Sequence, residues 1–205
     1  MQRKLIAACL TIAAFAAMVI VPAASASPVL TNAKGERVPV GTEIHAVVVG
    51  NGVFTGGFNI TCSGGEGSGK VTANSGTKIK GEIPANNLKL SGTGSGGDCT
   101  SALGNVSVVI NSKICGETIE GTDQAKATGC GASLTFSITI TGAGTCKYEA
   151  ASMTGTFLTN HDAEGTISEQ SAKGEATNGF FCPGEGKLDV SLAESINTGE
   201  TLSIS

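Results

Sequence analysis

Three stretches of this chain hold residues whose types and spacing could do chemistry. In Asn160-His161-Asp162-Ala163-Glu164-Gly165, oxygen ligands at alternate positions (Asn160, Asp162 and Glu164) precede a glycine. Calcium loops open this way, the glycine letting the chain turn around the ion. The twelfth position of such a loop is Ser171 rather than an acid, with Glu169 the nearest substitute. The same residues also make an ordinary polar hairpin tip. His45 has Glu43 two residues before it on one strand face, the makings of an imidazole–carboxylate base, yet no nucleophile accompanies the pair. Its plain reading is an exposed strand histidine beside an exposed carboxylate. Gly92-Thr93-Gly94-Ser95-Gly96-Gly97 has the glycine spacing of a dinucleotide loop, but Asp98-Cys99-Thr100 follows in place of a helix, so it reads as a turn. No Gly-x-Ser-x-Gly elbow occurs. The 17 acidic residues always supply some carboxylate pair for glycoside hydrolysis, so they single out none. No catalytic set is assigned, and calcium is the one cofactor the pattern admits.

The elements that would carry these residues are strands. Period-2 alternation of Val, Ile, Thr and Phe is clearest in Leu134–Thr141, where Leu134, Phe136, Ile138 and Ile140 share one face. Further strands are expected at Thr42–Val49, Phe58–Cys62, Lys78–Ile83, Leu88–Gly92, Val106–Asn111, Cys146–Ala151, Thr154–Thr159, Lys187–Ala193 and Leu202–Ser205. Glycine-rich connections are expected at Asn51-Gly52, Gly64–Gly69, Gly92–Gly97 and Gly142–Gly144, and Thr122–Ala127 offers one helical turn. The expected fold is all-β, an antiparallel sandwich or flattened barrel of about ten to twelve short strands.

Residues 1–26 read as an export signal: Arg3 and Lys4, an apolar Leu5–Val21, then Pro22 ahead of Ala24-Ser25-Ala26. An extended leader is expected over 27–34 and a single domain over 35–205. Removing Arg3 and Lys4 from the 13 basic residues leaves 11 against 17 acids, a net charge near −6. An acidic chain without basic clusters is no nucleic-acid binder. No second apolar stretch is long enough to span a bilayer as a helix. With no Trp and only Tyr148 as tyrosine, the chain lacks the platforms on which sugar rings stack; Phe180-Phe181 offers one exposed aromatic at best.

Past the signal stand six cysteines, Cys62, Cys99, Cys115, Cys130, Cys146 and Cys182, without a Cys-x-x-Cys pair that would suggest zinc. In an exported chain they form disulfides, and of the 15 possible pairings the nearest-neighbour set ties strands that are close in a meander. Val38-Pro39-Val40-Gly41-Thr42, Asn59-Ile60-Thr61-Cys62, Cys99-Thr100-Ser101, Gly144-Thr145-Cys146-Lys147-Tyr148 and Cys182-Pro183 through Asp189 resemble a group of uncharacterised secreted proteins of soil-dwelling, high-GC Gram-positive bacteria. The resemblance implies export, disulfides and the all-β fold, and brings no activity with it.

These features point to a secreted or cell-wall-associated, non-enzymatic binding or structural domain. Its partner would be a cell-wall polymer or extracellular protein met at a sheet face, or a small molecule inside a barrel. The alternatives are a hydrolase of extracellular polymer using Glu or Asp, and a protease inhibitor presenting Gly116–Gly129 between Cys115 and Cys130. Reducing all three bridges is expected to remove about 10 kcal/mol at most, roughly 3 to 4 per bridge. Denaturant melts with and without dithiothreitol measure this, and unchanged midpoints would contradict it.

Overall fold

The computed structural model describes residues 28–157, 163–196 and 202–204; the expected export segment lies outside them. Among the described residues the regular structure is all strand apart from a 3-10 turn at Ser95–Gly97. In chain order the strands are β1 (Leu30–Asn32), β2 (Glu43–Thr55), β3 (Ile60–Cys62), β4 (Gly64–Asn74), β5 (Ile79–Ile83), β6 (Lys89–Ser91), β7 (Cys99–Ser101) and β8 (Gly104–Ile110). There follow β9 (Ile114–Thr118), β10 (Gln124–Thr128), β11 (Leu134–Ile140), β12 (Gly144–Ala150), β13 (Met153–Phe157), β14 (Glu164–Gly174), β15 (Glu185–Ile196) and β16 (Leu202–Ile204).

The strand count exceeds the expected ten to twelve for a physical reason. β1 and β7 are three residues long, too short to show a period. β4, β9 and β10 carry glycine, alanine and charge where branched residues would have marked a face. Gly64–Gly69, expected as a turn, is therefore the first half of β4, and Asn51-Gly52 lies within β2. Residues of the expected helical turn Thr122–Ala127 enter β10, and the expected leader contains β1.

All pairings among the described residues are antiparallel, and two of the circuits they close define barrels. One runs β2–β4–β5–β9–β10–β13–β14–β15 and back to β2. The other runs β2–β3–β7–β8–β11–β12–β14–β15 and back to β2. Each is an eight-stranded barrel, and β2, β14 and β15 run through both, while β6 bridges β4 to β8. Closure leaves none of these strands with an unpaired edge along its whole length, which suppresses edge-to-edge association.

The shared strands change partner at a common waist. β14 pairs with β13 through Gly165–Ile167 and with β12 through Lys173-Gly174. Between them the β14–β15 register shifts at Ile167/Gln170, where Glu169 has φ 48° and its N–H donates to Asp189 Oδ1 at 2.7 Å. The β15–β2 register shifts at the same level, between Asp189 and Ser191. Bulges bend a strand and re-aim its pairing, and here they let one strand serve two barrels.

The second barrel is filled by its side chains to within a void of about 10 Å³. Phe136 stacks on Tyr148 at 5.4 Å between ring centroids, and Phe54 lies 5.0 Å from Tyr148. Ile60, Val106, Ile138 and Ile140 complete this core. Gly186 is glycine because the Phe54 ring occupies the space a Cβ would need. Cys62–Cys99 crosses directly opposed positions of β3 and β7, with Cα atoms 4.5 Å apart, and Cys146–Cys182 ties the 175–184 loop to β12. With Cys115–Cys130 these are the nearest-neighbour pairs.

The first barrel is closed at one end by the chain's first and last described strands. β1 pairs with β16, and Leu30, Val38, Leu202 and Ile204 turn inward and are buried. Asn74, at the end of β4 and itself buried, fastens this cap. Its Oδ1 accepts the Leu30 N–H at 3.0 Å, and its Nδ2 donates to the carbonyls of Leu30 (2.7 Å) and Val38 (3.0 Å). Asn74→Ala would leave one buried donor and part of two acceptors unpaired, at a cost of about 2 to 4 kcal/mol. Hydrogen exchange should then accelerate more at the Leu30 and Val38 amides than at Ile138; equal acceleration at all three would show that Asn74 does not hold the cap.

Candidate binding cavity

The two barrels have the same strand number and different contents. Eight strands enclose an interior that side chains can just fill, or that holds one small ligand. Aromatic rings fill most of the second barrel, whereas the first holds, among the described residues, a partly open cavity of about 260 Å³. Ile44, Val71, Ile79, Phe157, Ile167 and Val190 line it from the wall strands. Leu30 and Ile204 of the cap form its roof, and Leu90, Leu134 and Phe136, shared with the second barrel's core, form its floor.

The space exists because one arc of wall is built from small residues. Gly81 of β5 stands opposite Gly116 of β9, which stands opposite Ala127 of β10; Ala125 of β10 faces Gly155 of β13. A Cβ at Gly116 would meet nothing within 4 Å. Its backbone is ordinary extended strand, so the glycine answers no conformational need at that position.

Glycine weakens a strand because it offers no side chain to pack, and on this arc the outward positions supply the missing cross-strand contacts. Lys70 Nζ lies 3.0 Å and Lys113 Nζ 2.6 Å from Glu82, while Lys80 and Lys78 reach Glu117 at 3.1 and 3.9 Å. Lys113 and Lys70 hold the Glu82 carboxyl below the usual carboxylate range, and Lys80 does the same for Glu117. These charges face solvent, so the lumen is left apolar. Its buried polar side chain is Thr118, 5 % exposed, whose Oγ1 accepts the Ile79 N–H at 3.0 Å.

The sequence-predicted residues lie elsewhere. His45 is on the outer face of β2, and its Nε2 is 3.7 Å from Glu66 of β4, which lies diagonally across the strand pair beside the directly opposed Ser68. Asn160 and Asp162 of the calcium pattern lie outside the described residues, and Glu164 opens β14 opposite Ala193. Among the described residues no three His, Cys, Asp or Glu converge as a metal site. Gly92–Gly97 is a turn closed by Gly92 N–H to Gly97 O at 2.9 Å. Gly116–Gly129 is mostly barrel wall, the β9–β10 hairpin, rather than a protruding loop. Phe180 is fully exposed and Phe181 packs on the core. Tyr148 is buried with its hydroxyl unpartnered among the described residues, and desolvation pushes it up to about 12. No helix among the described residues is long and apolar enough to cross a membrane.

Sequence reading missed Gly81, Gly116, Thr118 and Ala125. They become a set only once register places them side by side. Comparison with family models, with curated proteins and with solved structures finds no match to this chain.

The ion pairs generate a pH dependence. A carboxyl whose folded pKa is lowered contributes stability above its unfolded pKa, and that contribution disappears as pH falls through the folded value. Wild type should therefore melt above Glu82→Gln at neutral pH. The gap should close on acidification below the ordinary value of 4.5 and shrink in high salt. A gap that persists at low pH would assign the effect to packing.

Proposed function

We propose that this chain is a secreted, non-enzymatic binding domain that holds a small apolar molecule inside its capped barrel. One observation carries the reading: an eight-stranded barrel whose lumen is apolar and unfilled, beside a barrel of the same strand number that is filled. Concave, predominantly apolar cavities of this kind take up apolar molecules. Export is supported by the charged, apolar and small-residue pattern of residues 1–26 and by three disulfides, which persist in oxidising compartments. The carboxylates with assigned partners favour binding over hydrolysis. Glu82 and Glu117 are held ionised by lysines, the opposite of the raised pKa a general acid needs.

A thermal-shift titration of oxidised residues 27–205 with a fluorescent naphthylamine tests the reading. A ligand that binds the native state stabilises it by about 2.7 kcal/mol at a hundredfold excess over Kd and so raises the melting temperature. Gly116→Phe should fill the lumen, fold with an unchanged or raised melting temperature, and abolish the shift; Gly116→Val should reduce it. Binding that survives Gly116→Phe would place the ligand elsewhere. A shift with wall glycan in place of the naphthylamine would move the function to the outer surface.

A further inference from the structure

We propose that the cavity's ligand is a neutral, mainly apolar molecule of about ten non-hydrogen atoms with one hydrogen-bond acceptor, and that Thr118 donates to that acceptor. This deepens the binding function proposed above and rests on it.

Size follows from volume. An apolar cavity of about 150 Å³ accommodates benzene, so 260 Å³ accommodates about ten non-hydrogen atoms on the same scale. Neutrality follows from the lining. Glu82 and Glu117 of the small-residue arc pair with lysines on the outer face, and strand alternation turns Lys126 to the same outer face, opposite Glu117 and between the inward Ala125 and Ala127. An ion entering such a lumen would leave water without a partner, which is the most costly form of burial.

The acceptor follows from Thr118. A hydroxyl has one donor and two acceptor sites. Thr118 uses its oxygen to accept from the Ile79 N–H, and among the described residues its proton meets no acceptor. The side chain stands opposite Ala125 on the inner face, lines the cavity, and is 5 % exposed, so water on the outside does not satisfy it. The other hydroxyls of the lining differ. Thr166 shares a 3.0 Å hydrogen bond with Ser191, and Thr156 is exposed. One buried, unused donor in an otherwise apolar lumen matches a ligand bearing a single ketone, ether, ester or alcohol oxygen.

Titration of wild type, Thr118→Val, Thr118→Ser and Gly116→Phe with matched compounds tests this. The compounds are the linear pair nonanone and nonane, the cyclic pair menthone and menthane, and ionised nonanoate. Thr118→Val should weaken the ketones about fivefold to tenfold and leave the hydrocarbons unchanged, as expected for one hydrogen bond. Thr118→Ser, which keeps the hydroxyl, should retain ketone affinity. Nonanoate should bind wild type roughly a hundredfold more weakly than nonanone. Hydrocarbon affinity controls for any loss of fold in the valine variant. Equal effects of Thr118→Val on ketones and hydrocarbons, or nonanoate binding as well as nonanone, would overturn this inference and leave the cavity function standing. Failure of every neutral compound to bind wild type, or binding unaffected by Gly116→Phe, would instead overturn the binding function itself.

Discussion

Closure of the two barrel circuits at eight strands each is the constraint on which this molecule depends. Once a barrel closes, strand number sets the width of its interior, and only side-chain volume decides whether that interior is core or cavity. Phe54, Phe136 and Tyr148 answer the question one way in the second barrel. Gly81, Gly116 and the alanines of β10 answer it the other way in the first. Because β2, β14 and β15 belong to both circuits, the filled barrel fixes the geometry of the unfilled one. The bulges at the waist are where that sharing is accomplished.

An empty lumen is costly. At about 24 cal/mol per Å³, a sealed void of this volume would forfeit on the order of 6 kcal/mol, which is the upper bound for this partly open one and a large share of a typical domain's 5 to 15. Three disulfides, a solid neighbouring core and a charge-stitched outer wall are the features that let the chain carry it. The bridges fall where their constraint counts: two belong to the packed barrel, and Cys115–Cys130 closes the base of the β9–β10 hairpin that supplies the small-residue arc. Shared core residues form the cavity's floor, and the Asn74-fastened ribbon lies over it as a roof.

Particular elements show what can be read from sequence here. β11 was legible because Leu134, Phe136, Ile138 and Ile140 alternate with threonine and serine, the signature of a strand with one wet face. The disulfide framework was legible as a set, and proximity along a meander pointed to the right pairs. β4 was not legible, since four of its first six residues are glycine; Gly65 is required because a Cβ there would lie 2.8 Å from the Lys89 carbonyl oxygen. Local composition says turn, while long-range crowding between β2 and β6 demands a bare backbone. The cavity was hidden for a related reason. Small residues on β5, β9, β10 and β13 look like weak strands one at a time, and become a wall with space behind it only when the circuit closes. Glu66, 3.7 Å from His45, was not legible as its neighbour because only the β2–β4 pairing brings the two together.

The most direct measurement is a crystal structure of oxidised residues 27–205 under xenon pressure. Xenon seeks dry apolar cavities and reports them without needing the true ligand. The account predicts xenon density within the first barrel, bounded by Val71, Gly116 and Phe157, and none inside the second. A first barrel collapsed around filled space, or a lumen occupied by ordered water and excluding xenon, would contradict it.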